Sequence, residues 1–413
     1  MAKTIQSASR TWRNPIQQAV ISLIAFAFPV ALAQDKPVVA SPLFANAVEA
    51  SLVRAFEQLG QQHIRNALSE IDDTLAKNPN FRLGHLIKGD LLMARAGTPV
   101  AFADQQTLPA EATSQLRHEA RVRLERYFDA PPAGYLPSSL LHIPPESRHV
   151  LLIDSERHRM FVFRNHAGRP EHVVDFYVSN GKNGDDKTRE GDQRTPLGVY
   201  QVTSSVPKEK LPDFYGPGAY PISYPNDWDK QNGRNGSGIW LHGTPSTTYS
   251  RPPRASDGCV VLTNDDFAKL GQYVDIGSTP VVITSRVEWL EPQKWQAERV
   301  LFESSLQQWR TDWESRDVER YLAHYSPRFK VDGKDFDAWA QRKRGVSGGK
   351  QFVKVGIEVQ SAYSFKGGNG SEPYVVLTYT QDYRSNNLNN KMKKRQYWSK
   401  ENGQWKIVYE NAA

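Results

Sequence analysis

The stretch IWLHGTPSTTYSRPPRASDGC, residues 239–259, decides what the centre of this 413-residue chain becomes. It opens with an apolar run that ends at His242 and closes on Cys259, the only cysteine in the chain. A short apolar run is typical of a buried strand, and the Pro-, Ser-, Thr- and Arg-rich residues 244–255 are typical of a loop. The pattern therefore predicts a strand that carries His242 and a loop that returns to Cys259, so that the two side chains can meet in space.

Cys259 has the features of a nucleophilic cysteine. The thiolate is the reactive form, and a nearby imidazole such as His242 generates it by taking the proton. Gly258 leaves room for a substrate carbonyl, and backbone N–H groups at Gly258 and Cys259 can hold the oxyanion that forms on attack. A lone cysteine followed by the apolar residues 260–262 also fits an inert core position. His242, Gly258 and an export signal at the N-terminus of the chain favour a nucleophilic Cys259 over an inert, buried one.

The N-terminus has the organisation of that export signal. Lys3, Arg10 and Arg13 precede an apolar stretch at 19–32, and small residues mark a cleavage site after Ala33. The stretch is shorter than the about 20 apolar residues that a membrane span needs. We therefore expect a signal peptide at 1–33 and a periplasmic protein with no integral membrane span after cleavage.

Charge and motif spacing exclude several function classes. The formal charge of +7 falls by three to +4 when the signal is removed, and the basic clusters at 342–344 and 391–395 are more typical of solvated strand edges than of a nucleic-acid site. The Gly-Lys pair at 181–182 lacks the spacing of a phosphate-binding loop. The histidines other than His242 are dispersed and have no metal-ligand spacing. The sequence therefore predicts no cofactor, no metal and no nucleic-acid partner.

Apolar spacing divides the remaining chain into regions. Residues 34–130 are predicted to be helical, with a tetratricopeptide-like hairpin around Pro79 that could form a homodimer through its helices. Residues 131–147 are Pro- and Gly-rich and predict a linker. Residues 148–287 have the period of β-strands. Residues 293–413 predict an amphipathic helix followed by antiparallel strands.

Three ordered motifs give residues 148–287 a resemblance to a known family. His242-Gly243-Thr244, Ser256-Asp257-Gly258-Cys259 and the upstream Gly-Asp-x-x-Thr-Pro-x-Gly-Val-Tyr segment at 191–200 together resemble the YkuD-type catalytic domain of the L,D-transpeptidases. The resemblance implies that Cys259 attacks a peptidoglycan tetrapeptide stem and forms a thioester, with His242 as general base. It also implies that the Gly243 carbonyl orients the imidazole and that Ser256, Gly258 and Cys259 line the oxyanion site.

Two positions depart from the family pattern. The family usually has histidine where this chain has Asp257, and arginine or asparagine where it has Val261. A carboxylate beside the site disfavours a thiolate, and a missing cation weakens the grip on a substrate carboxylate. The choice of substrate and acceptor is therefore open.

The tail adds a second resemblance. The Trp-x-x-x-Trp pattern at 309–313 and the closing Gly-x-Trp-Lys-Ile-Val at 403–408 resemble a nuclear-transport-factor-2-like (NTF2-like) cone. The predicted fold class is thus multidomain α+β, with a helical N-terminal segment, a β-rich YkuD-like catalytic domain and a C-terminal NTF2-like cone. This order is similar to that of periplasmic L,D-carboxypeptidases that set cell shape.

The sequence favours a periplasmic, cysteine-dependent L,D-transpeptidase that acts on peptidoglycan stem peptides in cell-wall remodelling. Two alternatives stay open. Water in place of an amine would make the enzyme an L,D-carboxypeptidase or a wall-lipoprotein amidase. Loss of activity would leave a non-catalytic wall-binding scaffold, since a fold does not by itself imply a function.

Overall fold

The computed structural model describes residues 46–96, 110–128, 130–331, 333–367 and 372–413. The predicted signal peptide at 1–33 lies outside these ranges. The described residues form two compact units. The helical unit comprises the described residues up to Phe128 together with Thr247–Pro252, and the second unit comprises the described residues of Asp129–Ser246 and Pro253–Ala413.

The helical unit is built from amphipathic helices whose apolar stripes face one another. The helices are α1 (Ala47–Gly60), α2 (Ile64–Lys77), α3 (Arg82–Arg95) and α4 (Ala110–Phe128). Ile71, Phe81 and Leu83 are fully buried between them. Gly84 permits the close approach of α2 and α3, because a Cβ there would lie 2.8 Å from Phe81 and 2.9 Å from Leu75. The predicted helical hairpin is confirmed in its helices, with its turn at Asn78–Phe81.

The middle of the second unit consists of short strands in two main sheets. The strands are β1 (Leu136–Pro137), β2 (Leu140–His142), β3 (His149–Asp154), β4 (Arg159–His166), β5 (Arg169–Tyr177), β6 (Asn180–Gly181), β7 (Gly198–Gln201), β8 (Val206–Pro207), β9 (Gly218–Pro221), β10 (Trp240–His242), β11 (Arg254–Ser256), β12 (Val260–Val261), β13 (Pro280–Thr284) and β14 (Trp289–Leu290). One sheet has the order β5-β4-β3-β13-β7, and the other has β12-β10-β9-β8. Two helices interrupt the strands, α5 (Asp227–Gln231) and α6 (Asn264–Leu270).

The predicted linker at 131–147 is wrong for half of its length. β1 pairs with β14, and β2 joins the sheet of the C-terminal region by pairing with its strand Val353–Lys366. Leu140 and Ile143 are buried. The prolines and Gly134 indicated a linker without regular structure. The apolar residues between them, however, bury enough surface to order the segment.

The C-terminal region is a cone of helices covered by a curved sheet. Its helices are α7 (Pro292–Ser315), α8 (Val318–Leu322) and α9 (Phe336–Ser347). Its strands are β15 (Tyr325–Lys330), β16 (Val353–Lys366), β17 (Pro373–Ser385), β18 (Asn389–Glu401) and β19 (Gln404–Ala412). The sheet order is β15-β19-β18-β17-β16-β2. The predicted tight turn is present, because Asn402 and Gly403 both have positive φ, at 50° and 79°.

The interior of the cone contains one ionisable group that the sequence did not single out. Glu410 is buried on β19, and its carboxylate accepts a hydrogen bond from Gln396 at 3.1 Å. Burial raises the pKa of Glu410, but the charges of Lys394 and Lys343 outweigh it and leave that pKa below its usual value. Lys343 in turn lies 5.1 Å from the ring centre of Trp339. The cone therefore encloses a compensated charge cluster rather than a purely apolar core.

Trp228 on α5 packs against the outer face of the C-terminal sheet. Its indole stacks on Tyr397 with ring centres 4.8 Å apart and planes at 13°, and it also adjoins Tyr374 and Tyr409. We expect Trp228→Ala to lower the free energy of unfolding by about 2 kcal/mol, because it removes a half-buried aromatic contact. Trp228→Phe should retain most of that stability. Urea unfolding measures both, and an unchanged midpoint for Trp228→Ala would contradict the expectation.

Candidate active site

Strand pairing brings His242 and Cys259 to the same side of one sheet. β10 and β12 run parallel, with Leu241 opposite Val260 and His242 opposite Val261. Side chains two residues apart along a strand point to the same side of the sheet. Cys259 immediately precedes β12, two residues before Val261, and continuing the register by one residue places it on the side of His242. The register thus closes the loop between the two residues, as the sequence predicted.

The imidazole of His242 is fixed in one orientation. The residue is 1% exposed, and Nδ1 lies 2.7 Å from the carbonyl oxygen of Gly243. A carbonyl oxygen only accepts hydrogen bonds, so Nδ1 carries the proton and Nε2 is the unprotonated nitrogen of the neutral ring. The ring of Tyr215 packs edge-on at 5.0 Å, and that of Phe214 lies at 5.9 Å. His242 is therefore held in the tautomer that a general base at Nε2 requires.

Asn264 contacts both residues that follow His242, Gly243 and Thr244, and accounts for the glycine at position 243. A Cβ on Gly243 would lie 2.4 Å from Asn264 Oδ1 and 2.5 Å from Pro217 Cδ, so only glycine fits. The backbone N–H of Thr244 donates to the same Oδ1 at 2.8 Å. Asn264 begins α6, which Thr263 caps with its side chain. The sequence did not single out Asn264, because nothing local connects it with a histidine 22 positions earlier.

Cys259 is a half-buried thiol that is not part of a disulfide. Its Sγ lies 3.3 Å from the carbonyl oxygen of Gly238, to which the thiol donates. Burial raises the pKa of Tyr215, and a charge on Cys259 raises it further. The Tyr215 ring thus contacts the imidazole, and its hydroxyl lies within electrostatic range of the sulfur. Sequence reasoning missed Tyr215, which precedes His242 by 27 residues.

The turn before the nucleophile is held by Ser256. Its Oγ donates to the carbonyl of Cys259 at 2.6 Å and accepts from the N–H of Gly258 at 3.2 Å. Gly258 has φ of 126°, and a Cβ there would lie 2.7 Å from the carbonyl oxygen of Arg194. The expectation that the Gly258 N–H faces a substrate oxyanion needs correction, because that N–H is committed to Ser256. Ser256 and Gly258 instead shape the turn that presents Cys259.

Thr195 explains the upstream Thr-Pro motif. The side chain is fully buried, and its hydroxyl donates to the carbonyl of Gly258 at 3.0 Å. The same hydroxyl accepts from the N–H of Gly181 at 2.9 Å. Thr195 therefore ties the segment of the Gly-Lys pair to the turn of the nucleophile.

The two departures from the family pattern have different structural settings. Asp257 is exposed, and its Oδ1 accepts from Lys182 Nζ and from Gln193 Nε2, each at 2.9 Å. The carboxylate of Asp257 is thus paired with the ammonium group of Lys182, a pairing that no local sequence pattern indicates. Val261 is buried in β12, where it packs instead of contacting solvent.

We expect Lys182→Met to slow the alkylation of Cys259 at pH 7 by about two- to threefold, because an uncompensated carboxylate would then lie near the thiolate. The double variant Lys182→Met with Asp257→Asn removes both charges and should restore the original rate. Iodoacetamide labelling followed by mass spectrometry measures the rate. Equal rates in the wild type and in Lys182→Met would mean that the pair has no influence on the thiol.

The described ranges contain neither a membrane-spanning helix nor a metal cluster. No helix in them combines the length and the apolar character needed to cross a bilayer. Within the same ranges, no cluster of three or more His, Cys, Asp or Glu side chains could hold a metal ion.

Comparison with known families identifies two regions of the chain, the β-rich middle and the C-terminal region. Residues 148–283 match the L,D-transpeptidase catalytic domain, YkuD, and residues 301–411 match the Cds6 C-terminal NTF2-like domain. The four helices of the helical unit lie outside both matched ranges, whereas its segment Thr247–Pro252 lies within the first. A search of curated proteins gives no match.

Two solved structures are similar over most of this chain. Bd1075 of Bdellovibrio bacteriovorus is 29% identical with a TM-score of 0.57, covering 68% of this chain and 98% of its own. Pgp2 of Campylobacter jejuni, a helical cell shape determining protein, is 26% identical with a TM-score of 0.56, covering 67% and 95%. Each of the two matches thus leaves about a third of this chain uncovered. The predicted architecture is confirmed: this chain carries an L,D-transpeptidase catalytic domain of the YkuD family, followed by an NTF2-like domain of the Cds6 C-terminal type.

Proposed function

We propose that this chain is a periplasmic cysteine enzyme that acts on peptidoglycan tetrapeptide stems through a thioester on Cys259, and that it works as an L,D-transpeptidase. The observation that carries the proposal is the disposition of His242 and Cys259. A buried imidazole, whose proton is held on Nδ1 by the hydrogen bond to Gly243, lies on the same side of the sheet as a half-buried thiol that is not part of a disulfide. A nucleophile and a base with a fixed tautomer are the two parts that acyl transfer through a cysteine requires.

The residues act in a defined order. Nε2 of His242 takes the thiol proton, and Cys259 Sγ attacks the carbonyl carbon of the third stem residue. The tetrahedral intermediate collapses when the C–N bond breaks, and the imidazolium returns its proton to the amine of the leaving D-alanine. The thioester then passes its acyl group to an incoming amine, whose proton His242 accepts. Throughout, the Gly243 carbonyl stabilises the protonated ring through Nδ1.

The biological setting is proposed by analogy. Pgp2 of Campylobacter jejuni is a helical cell shape determining protein. Its similarity to this chain over 67% of the residues supports a role for this chain in cell-wall remodelling and cell shape. The predicted export signal supports a periplasmic location.

Mass spectrometry of tetrapeptide-containing muropeptides incubated with the protein tests the proposal. Cross-linked or amino-acid-exchanged products would support the transpeptidase. Tripeptide alone would mean that water resolves the thioester, which makes the enzyme an L,D-carboxypeptidase. The proposal that the chain is an enzyme would be overturned if the muropeptides stay unchanged and a carbapenem forms no covalent adduct on Cys259. That result would favour a wall-binding scaffold.

A further inference from the structure

The loop between the base and the nucleophile does not fold with the catalytic domain over its whole length. Its middle residues, Thr247–Pro252, belong to the helical unit, whereas Ser246 and Pro253 on either side belong to the second unit. We call Thr247–Pro252 the strap. We propose that the strap is a positioning element, through which the helical unit sets the geometry of the nucleophile's turn and thereby the rate of acylation.

Tyr249 is the anchor of the strap. Its ring packs edge-on against Phe81 at 4.9 Å, and Phe81 is fully buried between α2 and α3. Its hydroxyl lies 3.1 Å from Oδ1 of Asn46, the residue that caps α1. Tyr249 is the only aromatic residue of the strap, and it packs against the apolar core of the helices. A single side chain thus contacts the N-cap residues of two helices of the helical unit, α1 and α3.

Ser250 adds a second attachment, to a buried ion cluster. Its Oγ donates to Glu119 Oε1 at 2.7 Å, and Glu119 is 1% exposed. Arg123, also buried, bonds both Glu119 and Glu49 at 3.0 and 2.8 Å. Burial raises the pKa of Glu119, which the charge of Arg123 and the hydrogen bond from Ser250 oppose. A buried carboxylate needs all its partners, so the cluster favours the docked strap.

The strap connects directly to the turn of the nucleophile. The backbone N–H of Asn180 donates to the carbonyl of Pro253 at 2.8 Å, and the chain then forms β11, which pairs with β6. β11 ends at Ser256, whose hydroxyl holds the carbonyl of Cys259. Three residues therefore separate the end of the strap from Ser256, whose side chain shapes the nucleophile's turn.

Docking the strap removes conformational freedom from a long loop. The residues between His242 and Cys259 are rich in Pro, Ser, Thr and Arg and contain little apolar surface of their own. Such a loop samples many conformations unless its middle is attached, and small displacements of reacting groups cost catalytic rate. The helical unit supplies the attachment, because the chain passes from one unit to the other at Ser246 and returns at Pro253.

The test compares Tyr249→Ala with a matched aromatic truncation in the same helical core, Phe56→Ala. Phe56 packs against that core and lies on α1, away from the strap sequence. In the full chain, we expect Tyr249→Ala to lower kcat by about tenfold with a smaller change in KM. Phe56→Ala should lower the melting temperature of the helical unit and leave kcat within about twofold. Tyr249→Phe keeps the ring on Phe81 and should restore kcat.

Hydrogen exchange gives a second readout that does not depend on the substrate. The amides of residues 253–259 should exchange faster in Tyr249→Ala, and at the wild-type rate in Phe56→Ala and Tyr249→Phe. The kinetic measurement depends on the proposed function, whereas the exchange measurement does not. A failure of the proposed function can therefore be told apart from a failure of the proposal about the strap. Equal kcat and equal exchange in Tyr249→Ala and the wild type would overturn the proposal. Equal losses in Tyr249→Ala and Phe56→Ala would also overturn it, because the effect would then be general destabilisation.

Discussion

Cys259→Ala is expected to lower turnover of peptidoglycan stems by about a million-fold, to the background rate. The substitution removes the atom that forms the thioester, and the loss of a nucleophile has effects of this order in enzymes that form an acyl intermediate. The fold should be preserved, because Cys259 is half-buried and the hydrogen bond from its sulfur to Gly238 is weak. Product analysis of muropeptides measures the loss, and thermal unfolding checks the fold.

Cys259→Ser is the matched control for this prediction. Serine keeps the size of the side chain and its ability to donate to Gly238, but a hydroxyl is far harder to deprotonate than a thiol. We therefore expect Cys259→Ser to have the melting temperature of the wild type and to lack any covalent adduct with a carbapenem in an intact-mass measurement. Turnover by Cys259→Ala above about one hundredth of the wild-type rate would remove Cys259 from the mechanism.

Much of the fold could be predicted because its signals are local. The apolar stripes of the N-terminal helices, the strand period after Arg148 and the Asn402-Gly403 turn each depend on residues that are close in sequence. The linker at 131–147 shows the limit of such signals. Leu140 is buried on β2, and the partner of β2 is β16, a strand more than 200 residues away, so the role of Leu140 depends on tertiary pairing that no local pattern encodes.

The candidate site divides in the same way. His242, Gly243 and Cys259 are recognisable from short motifs. Tyr215 and Asn264 are not, because they reach the site from a turn after β8 and from the start of α6, and neither has a distinctive neighbour in sequence.

Asp257 shows why a single departure from a motif is hard to interpret. In sequence, a carboxylate two residues before a nucleophilic cysteine argues against a thiolate. In the structure, Lys182 and Gln193 bind that carboxylate from two other loops. Only the three-dimensional arrangement shows that the charge is compensated.

His242→Ala is expected to lower turnover by about 10,000-fold or more, because nucleophile and base act as a unit. Without Nε2 the thiol loses the base that takes its proton, and the leaving amine loses the acid that protonates it. Burst experiments with a carbapenem should show the loss already in the acylation step. The double variant with Cys259→Ala should be no slower than Cys259→Ala alone, since the base has no function without its nucleophile.

The control for His242→Ala is Tyr215→Phe, which keeps the ring against the imidazole and removes only the hydroxyl. Because the ring contact at 5.0 Å is retained, we expect turnover within about fivefold of the wild type. The pH dependence separates the two roles. In His242→Ala the residual acylation should rise steadily with pH, since hydroxide replaces the imidazole as the base, whereas Tyr215→Phe should keep the wild-type profile. A normal acylation rate in His242→Ala would show that another group takes the proton, and the fixed Nδ1 bond to Gly243 would then have only a structural role.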